Sequence, residues 1–421
     1  MATRVKTTES THAPVILDCG SGYTKMGIAG HSGPTHVVPT VLYREDRDHT
    51  STASRGGIFP LTSSFAPYPL TCIGNQAIKE SMRDVTGSTK PILDGRVNDW
   101  SDLESFIECC YTQHLKIDPT DRPCILTEPP LNPSSNREKL AEVMFEVFGV
   151  PSMYIGVQAV MALYAYWDGR SPVTGTVVDS GDGVTHVIPV TDGYVSGTAV
   201  REIPIAGKDV TRIVSDSLVA RGEIVVDNPE SAVALNRLAK QVKERLAYVC
   251  PDPLKEFKLY DASPSSYFKK INYTDPRTGI SKDCDIGYER FLGPEVFFQP
   301  SLVSSNTIQS LPMIVHDSIQ ASPIDYRRGL LGNIVLSGGS TLFPYFGSRL
   351  EHDVTLLLKS PNAPKVTVNT NPDIQRFAVW HGASLLSQAP NFSNSLIKRS
   401  DYLERGPAVA RDTTITSCIG L

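Results

Sequence analysis

One short pattern occurs twice in this chain of 421 residues, and it constrains the fold more than any other feature. Residues 15–25 read VILDCGSGYTK and residues 176–186 read TVVDSGDGVTH. Aligned on Asp18 and Asp179, which are 161 residues apart (179 − 18), both follow D-x-G-[SD]-G-[YV]-T-[KH]. Each copy is a β-branched run, a glycine-rich turn and a second strand-like run, Lys25 to Ala29 and His186 to Val190. That order predicts a β-hairpin with a glycine-rich tip. Two copies in matching strand contexts predict a duplicated architecture, with one hairpin in each half.

The residue types point to phosphate. Glycines allow a close backbone approach and let successive N–H groups face an anion. Ser21 and Lys25 add a hydroxyl and a positive charge. Asp18 and Asp179, at strand ends, offer hard oxygen atoms that can hold waters around a divalent ion. Two such hairpins facing each other would grip a phosphate chain from both sides, with a nucleotide in the cleft. A single D-x-G-x-G would be read as an ordinary tight hairpin. A third glycine turn follows the strand-like NIVL of residues 333–336, at Gly338-Gly339. With a helix expected from about Tyr345, it suits close packing of backbone on a flat ring such as adenine.

The flanking segments read as helices. Ser135 to Phe148 carries a capping box, Ser135 with Glu138, and apolar residues at helical spacing. Tyr154 to Trp167 is nearly all apolar and reads as a buried helix containing Gln158, an amide able to position water. Ser231 to Val249 presents Leu238, Val242, Leu246 and Val249 on one face, which leaves Lys243 and Glu244 off the stripe. Residues 44–70 and 258–283 are polar and weakly periodic, and read as surface insertions.

Composition excludes several classes. Lys+Arg is 40 against Asp+Glu 45, a formal net charge of -5, so binding to nucleic acid driven by counterion release is not expected. No run of about 18 apolar residues is present, so no membrane span is expected. Met1 to Thr11 lacks an apolar signal core. The eight cysteines show no C-x-x-C spacing and read as reduced, mostly buried thiols.

The hairpins, together with TEPPLNPSSNREKLAEVMFEVF (127–148), VQAVMALYA (157–165) and LSGGSTLFP (336–344), resemble the actin family. The resemblance runs in order from about Val15 to Pro407. Four segments look less like conventional actin than like an actin-related subunit of the seven-subunit complex that nucleates branched actin filaments. They are VKERLAYVCPDPLKEF (242–257), DIGYERFLGPEVFFQP (285–300), SPIDYRRGLLGNIVLSGGS (322–340) and DYLERGP (401–407).

The resemblance implies an α/β protein with the actin-like ATPase fold: two similar α/β domains, in four subdomains, around a nucleotide cleft. Residues 1–39, 91–168 and 378–421 would form subdomain 1, and 40–90 subdomain 2. Residues 169–206 and 304–377 would form subdomain 3, and 207–303 subdomain 4. It implies ATP or ADP with Mg²⁺ or Ca²⁺. Phosphate contacts fall on Gly20, Ser21, Gly22, Lys25, Gly181, Asp182 and Gly183. Asp18, Gln158 and Asp179 would order waters around the metal, and Gln158 with His186 would orient the attacking water. Lys243 and Glu244 would meet base and ribose, Gly207 the ribose edge, and Gly338, Gly339, Arg376 and Phe377 the adenosine pocket.

The implied partners are actin-related protein 2, the other subunits of the seven-subunit complex, the actin filament and nucleation-promoting factors. The implied location is the cytoplasmic actin cytoskeleton and cell projections. The growing end that accepts actin would be a groove near Tyr164, Gly382 and Leu386. Slow, assembly-dependent ATP hydrolysis is expected rather than metabolic catalysis. The alternatives are conventional actin or another actin-related protein and, from a different class, a sugar-kinase-like phosphotransferase. The chain departs from the family at Gly382-Ala383-Ser384, where Gly-Gly-Ser is usual, and at residues 42–70, which puts self-polymerisation in doubt. The tail from Cys418 to Leu421 fits a prenylation box poorly, with Gly420 at its third position.

Overall fold

The computed structural model describes residues 12–44, 72–81, 87–169, 172–274, 279–303, 308–360 and 362–412. The chain divides into two compact units, one of Met1–Gly156 with Ser387–Cys418 and one that includes Val157–Leu386.

The first unit is built on a six-stranded mixed sheet. Its strands include β1 (Val15–Cys19), β2 (Tyr23–Ile28), β3 (His36–Pro39), β4 (Cys124–Glu128) and β5 (Ser152–Val157). The order is Ile397–Lys398, β5, β4, β1, β2, β3. β1 and β2 form the expected hairpin, with Asp18 opposite Lys25, and β1 runs parallel to β4. Val15, Leu17, Met26, Leu126 and Ile155 join Phe106, Met144 and Phe145 from the covering helices in one buried core.

Helix α1 (Trp100–Cys109) is capped by Asp99, whose carboxylate accepts from the Asp102 N–H. Helix α2 (Ser134–Glu142) begins one residue before the proposed capping residue, behind Pro133, and no side chain caps it. Ser135 therefore sits inside the first turn, and the box with Glu138 does not form. The helix continues as a wider π-helical turn, Val143–Val147.

The second unit repeats the same plan. β6 (Gly175–Ser180) and β7 (Thr185–Thr191) form the second hairpin, in register from Gly175 opposite Val190 to Ser180 opposite Thr185. β8 (Arg201–Ile203) pairs with β7, and β9 (Ile334–Ser337) runs parallel to β6. In both units a hairpin is extended by an antiparallel strand on one side and a parallel strand on the other. The sequence echo is thus an echo of topology.

Three sequence expectations change here. Tyr154–Val157 belongs to strand β5, and helix α3 (Gln158–Ala165) begins at Gln158 itself. A fully buried apolar run looks alike in strand and helix, so periodicity could not divide it. Helix α4 (Gly207–Ala220) is followed by α5 (Pro229–Arg245), which is capped by Asn228 and stops short of Val249. The described residues of the supposed insertion 258–283 form regular structure. They hold the end of helix Pro253–Ala262, helix Pro264–Tyr267 and a hairpin of Lys269–Thr274 with Ser281–Ile286. Ile271, Tyr273, Cys284 and Ile286 face inward there and pack with Val214, Leu218 and Leu238.

Helices α6 (Phe346–Leu357) and α7 (Ala378–Leu386) belong to the same unit. α7 crosses α3 so closely that a Cβ at Gly382 would lie 1.7 Å from the Met161 carbonyl oxygen. Leu386 is only 2% exposed. It is a core residue, and the solvent-facing leucine of this helix is its neighbour Leu385. The expectation that Leu386 lines an exposed groove is therefore wrong. Its apolar character reflects packing. Residues 45–71, most of the first insertion, and the tail from Cys418 to Leu421 lie outside the described residues. No helix among the described residues is long and apolar enough to cross a membrane.

Candidate nucleotide-binding site

In the first unit the tip of the β1–β2 hairpin gathers Asp18, Gly20, Ser21, Gly22 and Lys25. Asp18 is buried at the end of β1. Its Oδ2 accepts from Lys25 Nζ at 3.0 Å, and its Oδ1 accepts from Thr127 Oγ1 at 2.7 Å. The turn is closed by the Gly20 N–H donating to the Tyr23 carbonyl at 3.3 Å. Ser21 Oγ accepts the Gly95 N–H at 2.8 Å, which leaves its own O–H as a donor for a ligand. A Cβ at Gly20 would lie 3.7 Å from Lys25 Nζ, so the ammonium stands over this glycine.

In the second unit one hydrogen-bonded cluster joins the β6–β7 tip to three other segments. The Gly207 N–H, opening α4, donates to the Gly181 carbonyl at 3.0 Å, and the Lys208 N–H donates to the Asp182 carbonyl at 2.9 Å. Ser340 Oγ donates to the same Gly181 carbonyl at 2.6 Å. Lys243, from α5, donates to the Gly207 carbonyl at 3.0 Å and lies 3.5 Å from Asp182 Oδ1. It is buried, not solvated, and burial lowers its ammonium pKa while Asp182 opposes the shift. Glu244 is exposed beside it.

Gly338 has φ +88°, and a Cβ there would lie 2.2 Å from the Ser180 carbonyl oxygen, so only glycine fits. Its N–H donates to the Gln375 carbonyl at 3.2 Å, and the buried Gln375 amide donates to Thr341 O and Oγ1 at 2.8 and 2.7 Å. Gln375 thereby fixes the neighbouring Arg376 and Phe377 beside the Gly338-Gly339 turn. The Arg376 guanidinium lies 5.3 Å from the centre of the Phe377 ring.

Asp179 and His186 face each other across the hairpin. Gln158 is the first residue of α3, where the chain leaves strand β5. Sequence reasoning missed four participants: Thr127, Glu202, Ser340 and Gln375. Ser340 was legible as the third residue of a Gly-Gly-Ser turn. The other three carry no local signal, because their partners are distant in sequence.

The residues fit a phosphate-bearing ligand. A Cβ at Gly181 or Gly339 would meet nothing within 4 Å, so the backbone is open there, and Lys25 and Lys243 supply positive charge. Among the described residues no three His, Cys, Asp or Glu side chains are grouped to hold a metal ion directly. Asp18 and Asp179 offer one carboxylate each on separate hairpins, a donor set that suits a hydrated ion carried by phosphates. Among the described residues the cysteines fit no chemical role. Cys72, Cys109, Cys110, Cys124, Cys250 and Cys284 are buried and free, and burial pushes Cys19 and Cys124 up to about 12.

This fold and these loops define an actin-like nucleotide-binding protein, and the chain belongs to the actin family, whose model matches residues 9–414. Within that family it is similar to Actin-related protein 3 of Dictyostelium discoideum, 42% identical over 419 residues, covering 95% of this chain and 97% of the relative. It is 41% identical to Actin-related protein 3 of Schizosaccharomyces pombe over 428 residues, covering 96% and 97%. Against Actin-related protein 3 of Saccharomyces cerevisiae it is 38% identical over 450 residues, covering 96% and 98%. Members of the actin family bind a nucleotide with a divalent cation.

Proposed function

We propose that this chain is the actin-related protein 3-type subunit of the seven-subunit actin-related protein 2/3 complex, and that it templates branched actin filaments while holding ATP. The observation that carries this reading is identity of about 40% running through nearly the whole chain, well beyond the glycine loops. A sugar-kinase-like enzyme would share the loops alone. The partners are then actin-related protein 2, the other subunits, the filament and nucleation-promoting factors. The location is the cytoplasmic actin cytoskeleton, including cell projections. The four-subdomain division given above belongs to the same proposal.

In this reading Gly20, Ser21, Gly22, Lys25, Gly181, Asp182 and Gly183 hold the phosphates of ATP through backbone N–H groups, a hydroxyl and an ammonium. Gly207, Lys243, Glu244, Gly338, Gly339, Arg376 and Phe377 hold the ribose and base. When bound, Mg²⁺ neutralises charge on the phosphates. Asp18, Gln158 and Asp179 orient the water molecules around it. Gln158 and His186 align the attacking water by hydrogen bonds. Phosphoryl transfer demands position and charge compensation more than a reactive side chain. A neutral amide is a weak base, so hydrolysis is slow and depends on how well the water is aligned.

Purification of the tagged chain at mild salt tests the proposal. It predicts a stoichiometric seven-component assembly containing a second actin-related chain. A chain that elutes alone and polymerises with itself would instead support conventional actin.

A further inference from the structure

We propose that Glu202 is a positioning residue that fixes the imidazole of His186 for hydrolysis, an inference that rests on the water-aligning role given to His186 above. Three strands carry it. In the sheet of the second unit, β6 pairs with β7 and β7 pairs with β8. Asp179 is directly opposite His186, and His186 is directly opposite Glu202. Directly opposed residues share a face, so the three side chains form one row. The alternate row lies on the other face. There Ser180 and Thr185 are hydrogen-bonded at 2.7 Å, and Thr185 Oγ1 also donates to the Ile205 carbonyl at 2.6 Å. That buried pair pins the hairpin register, and with it the row of Asp179, His186 and Glu202.

His186 is 7% exposed, so its ring cannot swing freely. Its Nε2 lies 3.6 Å from Glu202 Oε2. This contact is longer than a hydrogen bond, which needs roughly 2.7–3.2 Å. The Glu202 side chain is 47% exposed. The preceding residue, Arg201, directs its guanidinium to the Thr198 and Val200 carbonyl oxygens, both at 2.9 Å.

The consequence is a choice of tautomer. A neutral imidazole carries its proton on one nitrogen and a lone pair on the other. An ionised carboxylate only accepts, so Glu202 selects the form protonated at Nε2. Nδ1 is then the acceptor, able to take a hydrogen bond from water. No bond between heavy atoms forms or breaks through Glu202. It acts through the ring it orients, as a carboxylate behind a histidine does at metal centres. Glu202 itself is half-exposed, so removing its carboxylate leaves the protein folded.

The test uses the full chain labelled with ¹⁵N-histidine and loaded with ATP and Mg²⁺. Ring nitrogen shifts and couplings report the tautomer of His186 without reference to activity. Wild type gives the Nε2–H form, and Glu202→Ala gives a mixture. Glu202→Gln, whose amide oxygen still accepts, restores the Nε2–H form. In single-turnover hydrolysis by the assembled complex, Glu202→Ala slows the step about tenfold at unchanged ATP affinity, and Glu202→Gln recovers most of it. An unchanged tautomer in Glu202→Ala overturns this inference alone. A hydrolysis rate indifferent to His186→Ala overturns the reading beneath it.

Discussion

Lys243 donates to the Gly207 carbonyl oxygen at 3.0 Å, so a side chain of α5 holds the first residue of α4 in place. The same ammonium lies 3.5 Å from Asp182 at the hairpin tip, and Thr211 Oγ1 completes the coordination of the Gly207 carbonyl at 2.9 Å. One buried cation therefore couples two segments assigned to the nucleotide. Lys243→Met keeps the stem and removes the donors. It should lower ATP affinity about tenfold, or about 1.4 kcal/mol, in a fluorescent-nucleotide titration. Lys240→Met, one turn earlier on the same helix, should leave affinity unchanged.

The two glycines of the third turn should separate fold from ligand. Gly338→Ala forces a Cβ against the Ser180 backbone at a positive φ, and should cost about 2 kcal/mol or more. A urea melt would register that loss. Gly339→Ala meets nothing within 4 Å and should melt like wild type. Gly339→Leu should also fold, but should weaken nucleotide binding by filling the open space.

Nucleotide should stabilise the folded chain. A ligand that binds only the folded state adds about 2.7 kcal/mol at a hundredfold excess over Kd. Chelation and nucleotide removal should therefore lower Tm, and a melting curve unchanged by both would contradict the site. Lys25→Ala should reduce this gain, because it removes the cation above Gly20 and the 3.0 Å partner of Asp18.

Glu295 should make stability depend on pH. It is buried, and desolvation raises its carboxyl from 4.5 to about 7, with Arg349 at 3.6 Å opposing the shift and Asp353 adding to it. Between these values the folded state keeps a proton that the unfolded state has released. This group's contribution to stability therefore falls as pH rises from 4.5 to 7, and the loss is complete above 7. Glu295→Gln mimics the protonated acid and should flatten that slope in urea melts at pH 5, 6, 7 and 8. Arg349 keeps its 2.7 Å bond to Asp353 in this variant.

The sequence was most legible where a local pattern also fixes long-range topology. The two D-x-G-x-G echoes predicted both hairpins and the repeated plan, because a glycine-rich turn between β-branched runs has few other solutions. It was least legible where burial erases periodicity. Tyr154–Val157 and the helix from Gln158 read as one apolar run. The Ile271 and Tyr273 alternation was hidden in a polar segment, since only one face of that hairpin is buried. The burial of Lys243 was not legible, because helical spacing marks an apolar stripe and cannot report what packs on the next face. Gln375 and Glu202 act across 34 and 16 residues of sequence, and no spacing rule reaches them.

Actin assembly followed by fluorescence, with the purified assembly and an activator added, tests the central claim most directly. The account predicts that wild-type assembly abolishes the lag and produces branched filaments, and that an assembly carrying Lys25→Ala loses this activity in step with its ATP occupancy. An unchanged lag with fully ATP-loaded wild-type assembly, or full nucleation by an assembly whose copy of this chain binds no ATP, would contradict it.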